Sequence, residues 1–127
     1  RGTETILLVD DETAVLEVTR SMLQSLGYRV LCAGSGQDAI AVYSEKRDAI
    51  DLVILDMIMP GISGTETFDC FRKIDAEKKV LLSSGYSIEG KAQELIEKGC
   101  KGFLQKPFRM VDLAREVRAI LDSRQEH

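Results

Sequence analysis

Residues 6–12, Ile6-Leu7-Leu8-Val9-Asp10-Asp11-Glu12, decide the fold. Four apolar side chains follow one another without alternation, β-branched at the first and last positions, and three acidic residues stop the run. A strand with one wet face alternates, whereas a strand covered on both faces does not, so this run predicts a strand of a parallel sheet. Outward from it, Val15, Val18, Met22, Leu23 and Leu26 recur at helical spacing. Acidic residues precede them, as suits a helix N-terminus, and Gly27 supplies the C-terminal stop. Residues 28–33 then read as a second strand, Gly34-Ser35-Gly36 as a turn, and Ala39, Ile40 and Tyr43 as the inner stripe of a second helix.

The pattern repeats along the chain. Leu52-Val53-Ile54-Leu55 is the most apolar strand and ends at Asp56, after which Pro60, Gly61 and Gly64 form a loop ahead of a helix containing Phe68, Phe71 and Ile74. Val80-Leu81-Leu82 begins a fourth strand closed by Ser83-Ser84-Gly85, and a helix with Leu95 and Ile96 ends at Gly99. Gly102-Phe103-Leu104 is the core of a short fifth strand halted by Lys106-Pro107, and Leu113, Val117, Ile120 and Leu121 mark the last helix. About five βα units in strict alternation predict an α/β, doubly wound parallel sheet with helices on both faces. No linker or low-complexity tract interrupts them, so we expect one domain over 1–127 with its core at about 5–122.

Composition excludes several functions. The net charge of −4, from 21 acidic and 17 basic side chains, has the wrong sign for gripping nucleic acid or an anionic membrane. With 44% hydrophobic residues the chain is too apolar for disorder, yet no apolar run approaches the roughly 20 residues of a membrane span. Cys32, Cys70 and Cys100 are odd in number and far apart, which suits buried, reduced thiols in the cytoplasm better than disulfides or a metal site. The opening Arg1-Gly2-Thr3-Glu4-Thr5 is not a secretion signal, and a start at arginine leads us to expect a piece of a longer protein.

In open α/β sheets ligands bind beyond the carboxyl ends of the strands, near the point where strand order reverses. Those ends carry Asp10, Asp11, Asp56, Ser84 and Lys106. Each has an ordinary reading: the acidic cluster as a cap for the first helix, Asp56 and Ser84 as turn formers, Lys106 as a solvated lysine. Together they predict a site. Three converging carboxylates need a cation, and oxygen donors without histidine or cysteine favour Mg²⁺. A carboxylate beside such an ion can accept a phosphoryl group while the ion and a lysine neutralise the transferring charge. Asp56 alone ends the central strand and is the best acceptor, with Asp10 and Asp11 placed to hold the metal.

These residues resemble the response-regulator receiver domains of bacterial two-component signalling. The likeness rests on the Leu-Leu-Val-Asp-Asp-Glu opening, Asp56-Met57-Ile58-Met59-Pro60-Gly61, Ser84-Gly85 and Gly102-Phe103-Leu104-Gln105-Lys106-Pro107-Phe108, and covers about residues 5–122. It implies a flavodoxin-like five-stranded sheet in the order 2-1-3-4-5. It also implies phosphorylation at Asp56 around Mg²⁺, with Mn²⁺ as a substitute, at a site formed by Asp10, Asp11, Asp56 and the backbone carbonyl of Ile58, with Asp11 ligating the ion directly. Lys106, joined to Pro107 by a cis bond, would pair with the phosphoryl oxygens. Ser84 would hydrogen-bond them and Phe103 would be the aromatic switch that moves inward; plain core packing is the other reading of Phe103.

The resemblance also implies that Ile58 and Tyr86, two positions beyond Asp56 and Ser84, tune access of water to the phosphoryl group, and their bulk predicts a long-lived phosphoryl state. The only histidine, His127, is a poor internal donor at a chain end. The phosphoryl group is therefore expected from a phosphohistidine of a sensor histidine kinase or histidine phosphotransfer domain, with small acyl phosphates as substitutes. Such a receiver catalyses its own phosphorylation and dephosphorylation and then controls a partner. The resemblance leaves open a free-standing regulator, a piece of a transcription factor or the receiver of a hybrid sensor kinase; a linked kinase domain or a second copy would be met through the last two βα units, at about 88–119, without direct nucleic-acid binding or membrane insertion. The stretches Gly2-Thr3-Glu4-Thr5 and Ser84-Gly85-Tyr86-Ser87 look most like receivers appended to sensor kinases.

Three rival readings fit the residues less well. Gly34-Ser35-Gly36-Gln37-Asp38-Ala39 satisfies a G-x-G-x-x-A dinucleotide fingerprint, but that fingerprint belongs after the first strand. A haloacid-dehalogenase-type aspartate-nucleophile phosphohydrolase also uses strand-end Asp, Ser, Lys and Mg²⁺, yet that family wants a second aspartate where this chain has Glu12. A pseudo-receiver that only binds partners has no need of the full acidic set.

Overall fold

Strand β1, Thr5–Val9, is buried at every position after the first, as its unbroken apolar run requires. The computed structural model describes residues 4–57, 64–75, 78–84, 97 and 99–122. After β1 come α1 (Thr13–Ser25), β2 (Arg29–Ala33), α2 (Gly36–Lys46), a single 3₁₀ turn (Arg47–Ala49), β3 (Leu52–Asp56), α3 (Gly64–Ile74), β4 (Val80–Ser84), β5 (Gly102–Gln105) and a last described helix, α4 (Met110–Asp122). All pairings are parallel and the strand order is β2-β1-β3-β4-β5, the expected doubly wound sheet. Ile58, Tyr86, His127 and the helix read around Leu95 and Ile96 lie outside the described residues.

The period-two alternation of the strands divides the core in two. Leu7, Val9, Val53, Leu55 and Leu82 face α2 and α3, where Ala39, Tyr43, Phe68 and Phe71 are buried against them. Ile6, Leu8, Leu52, Ile54 and Leu81 face α1 and α4, meeting Leu23, Leu113, Val117 and Ile120. β3 and β4 lie inside the sheet and are buried at all their positions. That burial includes Ser83 and Ser84, which end the strand instead of forming the turn expected of them.

Three further expectations are corrected. Val18 recurs at helical spacing with the apolar residues of α1 but is 55% exposed. Thr19 and Leu23 are buried on α1, Leu16, Met22 and Leu26 are partly buried against the same core, and Val18 lies one row, roughly 100°, further round. Cys32 is exposed on β2 and Cys70 half-buried on α3; of the three free thiols only Cys100 is buried. The glycine-rich stretch is a helix cap: Gly36 already belongs to α2, and the Ser35 hydroxyl accepts from the Asp38 N–H at 3.1 Å. A side chain at Gly34 would meet nothing within 4 Å, so no close backbone approach demands glycine there.

At the amino-terminal pole of the sheet Arg118 of α4 donates to Glu4 at 2.8 Å, to Asp122 at 2.8 Å and to the Tyr28 hydroxyl at 3.1 Å. The Arg118 hydrogen bond holds the Glu4 carboxyl below its ordinary pKa.

Tyr43 is fully buried, its ring 4.7 Å from that of Phe71, and its hydroxyl has no hydrogen-bond partner among the described residues. Burial pushes this phenol well above its ordinary pKa. A buried donor without a partner costs stability, so Tyr43→Phe is expected to stabilise the protein by about 1 kcal/mol, read as a higher urea midpoint at unchanged slope. A lower midpoint would show that the hydroxyl is bonded in solution.

Candidate functional site

Parallel register sets where the strand-end side chains emerge. Val9 pairs with Leu55, so Asp10 and Asp56 leave neighbouring strands side by side. Asp56 in turn pairs with Ser83, and Ser84 with Gln105, which puts Lys106 one residue beyond the pairing. The Lys106 N–H donates to the Ser84 carbonyl at 2.7 Å and fixes the start of that segment. The Lys106–Pro107 bond is cis, as the resemblance implied.

Asp10 and Asp56 are 3% and 4% exposed, and Asp11 beside them faces solvent. Carboxylate oxygens of all three lie within 4.8 Å of one another. The Lys106 ammonium lies among them, 2.6 Å from Asp10 Oδ2, 3.4 Å from Asp56 Oδ1 and 3.9 Å from Glu12 Oε1. Burial pulls the Lys106 pKa down, but the hydrogen bond to Asp10 and the charge of Asp56 outweigh it and hold the pKa above the ordinary lysine value. The ammonium therefore stays charged. One positive charge among three carboxylates leaves a surplus of negative charge.

That surplus is the test of fit for a divalent ion. The donors are hard oxygens, two buried and one open to water, which suits an ion that keeps part of its hydration shell. Ser84 ends β4 at full burial beside this cluster of strand ends. Phe103, on β5, is half-buried and packs against the core that contains Leu7, Val9 and Leu82.

The capping reading of the acidic cluster is corrected: Glu12 occupies the N-cap position of α1 but makes no side-chain cap bond. Asp10 instead accepts the Glu12 N–H at 2.9 Å. Sequence reasoning overlooked this bond. Its signal was present, because an aspartate often bonds the backbone two residues ahead.

The family described as the response regulator receiver domain matches residues 6–118. The chain belongs to this family. It is similar over 121 residues, at 36% identity, to the sensor kinase CckA of Brucella abortus, a match covering 95% of this chain and 13% of the kinase. Among solved structures it resembles the response regulator TrrA of Thermotoga maritima, in complex with Mg²⁺ and BeF, at 31% identity and a TM-score of 0.84, covering 93% of this chain and 99% of that one. It also resembles the receiver domain of the sensor histidine kinase PA1611 of Pseudomonas aeruginosa, with magnesium in its active-site cleft, at 25% identity and a TM-score of 0.86, covering 96% and 100%. The receiver domain spans less than half the length of the curated relatives it matches first. The match supports the two-component signalling role and gives the phosphohydrolase reading no support. Among the described residues no helix is long and apolar enough to cross a membrane.

Proposed function

We propose that this receiver domain accepts a phosphoryl group on Asp56 from a phosphohistidine of a sensor histidine kinase or phosphotransfer domain in the cytoplasm. The observation that carries the reading is the Lys106 ammonium within reach of both Asp10 and Asp56, with Asp11 completing a carboxylate cluster. Asp10, Asp11 and Asp56 would hold Mg²⁺, or Mn²⁺ in its place, and the bound ion would neutralise charge on the transferring group. An Asp56 carboxylate oxygen forms the new bond to phosphorus as the bond from phosphorus to the imidazole nitrogen breaks, and the electron pair leaves with the imidazole. Lys106 pairs with a phosphoryl oxygen and the Ser84 hydroxyl donates to another.

Phosphorylation then biases two packings of the last two βα units, with Phe103 moving further into the core as Ser84 is drawn to the phosphate. Driving a nearly off population nearly on takes about 5.5 kcal/mol, within reach of a few charge-assisted hydrogen bonds. The output is a linked kinase domain or a second copy, met through these units. Incubation with acetyl phosphate and Mg²⁺ should add one phosphoryl group per chain by intact mass, and EDTA should prevent it. Labelling that persists without metal would overturn the reading.

The protein donor has a docking place beside the site. Glu12 and Lys106 also line an apolar groove of about 540 Å³ between α1 and the Pro107-Phe108 segment, walled by Val15, Val18 and Met22. A donor surface seated there would hold its phosphohistidine beside Lys106, whose ammonium is 3.4 Å from Asp56. Val18→Arg is expected to slow transfer from a phosphorylated phosphotransfer domain about tenfold or more while leaving labelling by acetyl phosphate unchanged. Equal slowing of both would place the defect in the site and remove the groove from the account.

A further inference from the structure

Large apolar side chains left in water gather along one line. Among the described residues three are exposed, Val18 at 55%, Val111 at 49% and Met110 at 39%. All three lie on the seam between α1 and α4, two helices that cover the same face of the sheet. The donor groove is only the end of that seam nearest the carboxylates. Further along, Val18, Met22 and Met110 wall a hollow of about 410 Å³, and Leu26, Val111 and Ala114 wall another of about 330 Å³. An apolar patch this continuous marks a surface that another surface covers.

The two banks of the seam differ in charge. Glu12 and Glu17 edge the α1 side, while Arg20 of the same helix lies close enough to Cys32 of β2 to act on its thiol. On the α4 side the exposed Arg109 and Arg115 share one carboxylate, Asp112, which leaves positive charge in excess. Depth matches as well. Both helices return from the carboxyl end of a parallel strand and so run the same way. Glu12 immediately precedes α1 and Arg109 immediately precedes α4. Glu17 and Arg115 follow them by five and six residues, about 7.5 Å and about 9 Å along the axes.

We propose that a second copy of this chain docks on the seam about a two-fold axis parallel to the helices, so that α1 of each copy faces α4 of the other. That orientation brings each acidic bank to a basic one at equal depth, whereas a two-fold axis across the helices would set α1 on α1 and repel. Burial of Val18, Met110 and Val111 supplies the attraction. The contact between Glu17 and Arg115, made twice by symmetry, sets the register, since exposed ion pairs give little affinity of their own. Because α1 supplies half of this interface, it is separate from a contact made through the last two βα units alone. Pairing covers Val18 and Met22, which also line the donor groove, so a second copy and the donor exclude one another. The exclusion rests on the donor reading given above; the pairing does not.

The test is sedimentation equilibrium of the unphosphorylated protein from about 1 μM to about 1 mM, where a reversible monomer–dimer equilibrium is expected. Glu17→Arg and Arg115→Glu, both at exposed positions, should each raise the dimer dissociation constant about tenfold or more, because each change acts twice by symmetry. The double variant Glu17→Arg/Arg115→Glu should return it to within about threefold of the parent. Over the same range the amide signals of Val18, Met22 and Val111 should shift, while those of Val42 and Cys70 on the other face stay fixed. Transfer from a phosphorylated phosphotransfer domain should slow at dimer-forming concentrations in the parent and not in Arg115→Glu. A parent that stays monomeric throughout would overturn the pairing and leave the donor groove to be judged by Val18→Arg. Dimerisation untouched by the single changes, or not restored by the double, would overturn this interface, as would shifts confined to β5 and α4. Equal transfer at low and high concentration would overturn the exclusion.

Discussion

Asp56→Asn is expected to bring acetyl-phosphate labelling to background, in the same assay in which the parent gains one phosphoryl group. The amide has nearly the shape of the carboxylate but no anionic oxygen to attack phosphorus. The neighbouring acids do not replace it. Asp10 accepts from the Glu12 N–H through one oxygen and from Lys106 through the other, and Asp11 follows the end of β1 facing solvent. The substitution also removes one of three carboxylates crowded within 4.8 Å, so the metal-free variant should melt no lower than the parent. Undiminished label in Asp56→Asn, or label that moves to Asp10 or Asp11, would end the assignment of the acceptor.

Phe71→Ala carries the largest expected loss of stability. The ring is fully buried on α3 and tilted against Tyr43 with centroids 4.7 Å apart, in the core on the face of the sheet that also buries Val53 and Leu55. Truncating a large buried aromatic costs about 3–5 kcal/mol, because the cavity closes only in part. Against a total stability of about 5–15 kcal/mol this is a large fraction, and urea unfolding should show it as a strong fall in the midpoint. The variant should still label at Asp56 under conditions where it remains folded, since the ring partner of Phe71 is Tyr43 on α2 and not a strand-end group. A loss below about 1 kcal/mol would mean that α3 does not pack on this face as described.

The buried strands were legible because a residue in a two-sided parallel sheet has no wet face, and Ile6 to Val9 and Leu52 to Leu55 leave no other environment for four consecutive aliphatics. Asp10, Asp56 and Lys106 were legible for the same reason: polar residues that end such runs must surface at one edge of the sheet. Val18 was misread because helical spacing admits two adjacent apolar rows, and only tertiary packing chooses which one turns inward. Ser83 and Ser84 read as turn residues by type, yet hydrogen bonding within the sheet and pairing with Leu104 and Gln105 extend the strand through them. Cys32 could not be placed because β2 is the outermost strand, where one neighbour is missing and burial no longer follows residue type. The closeness of Lys106 to Asp10 was invisible, since it depends on side-chain reach across strands 96 positions apart in the chain.

The clasp of Arg118 on Glu4, Asp122 and Tyr28 sits at the pole of the sheet opposite the carboxylates. Polypeptide leading into β1 and polypeptide leaving α4 are thereby fastened at a single joint. Glu4, just ahead of β1, and Asp122, at the end of α4, share one guanidinium, so a tilt of α4 would load both contacts at once.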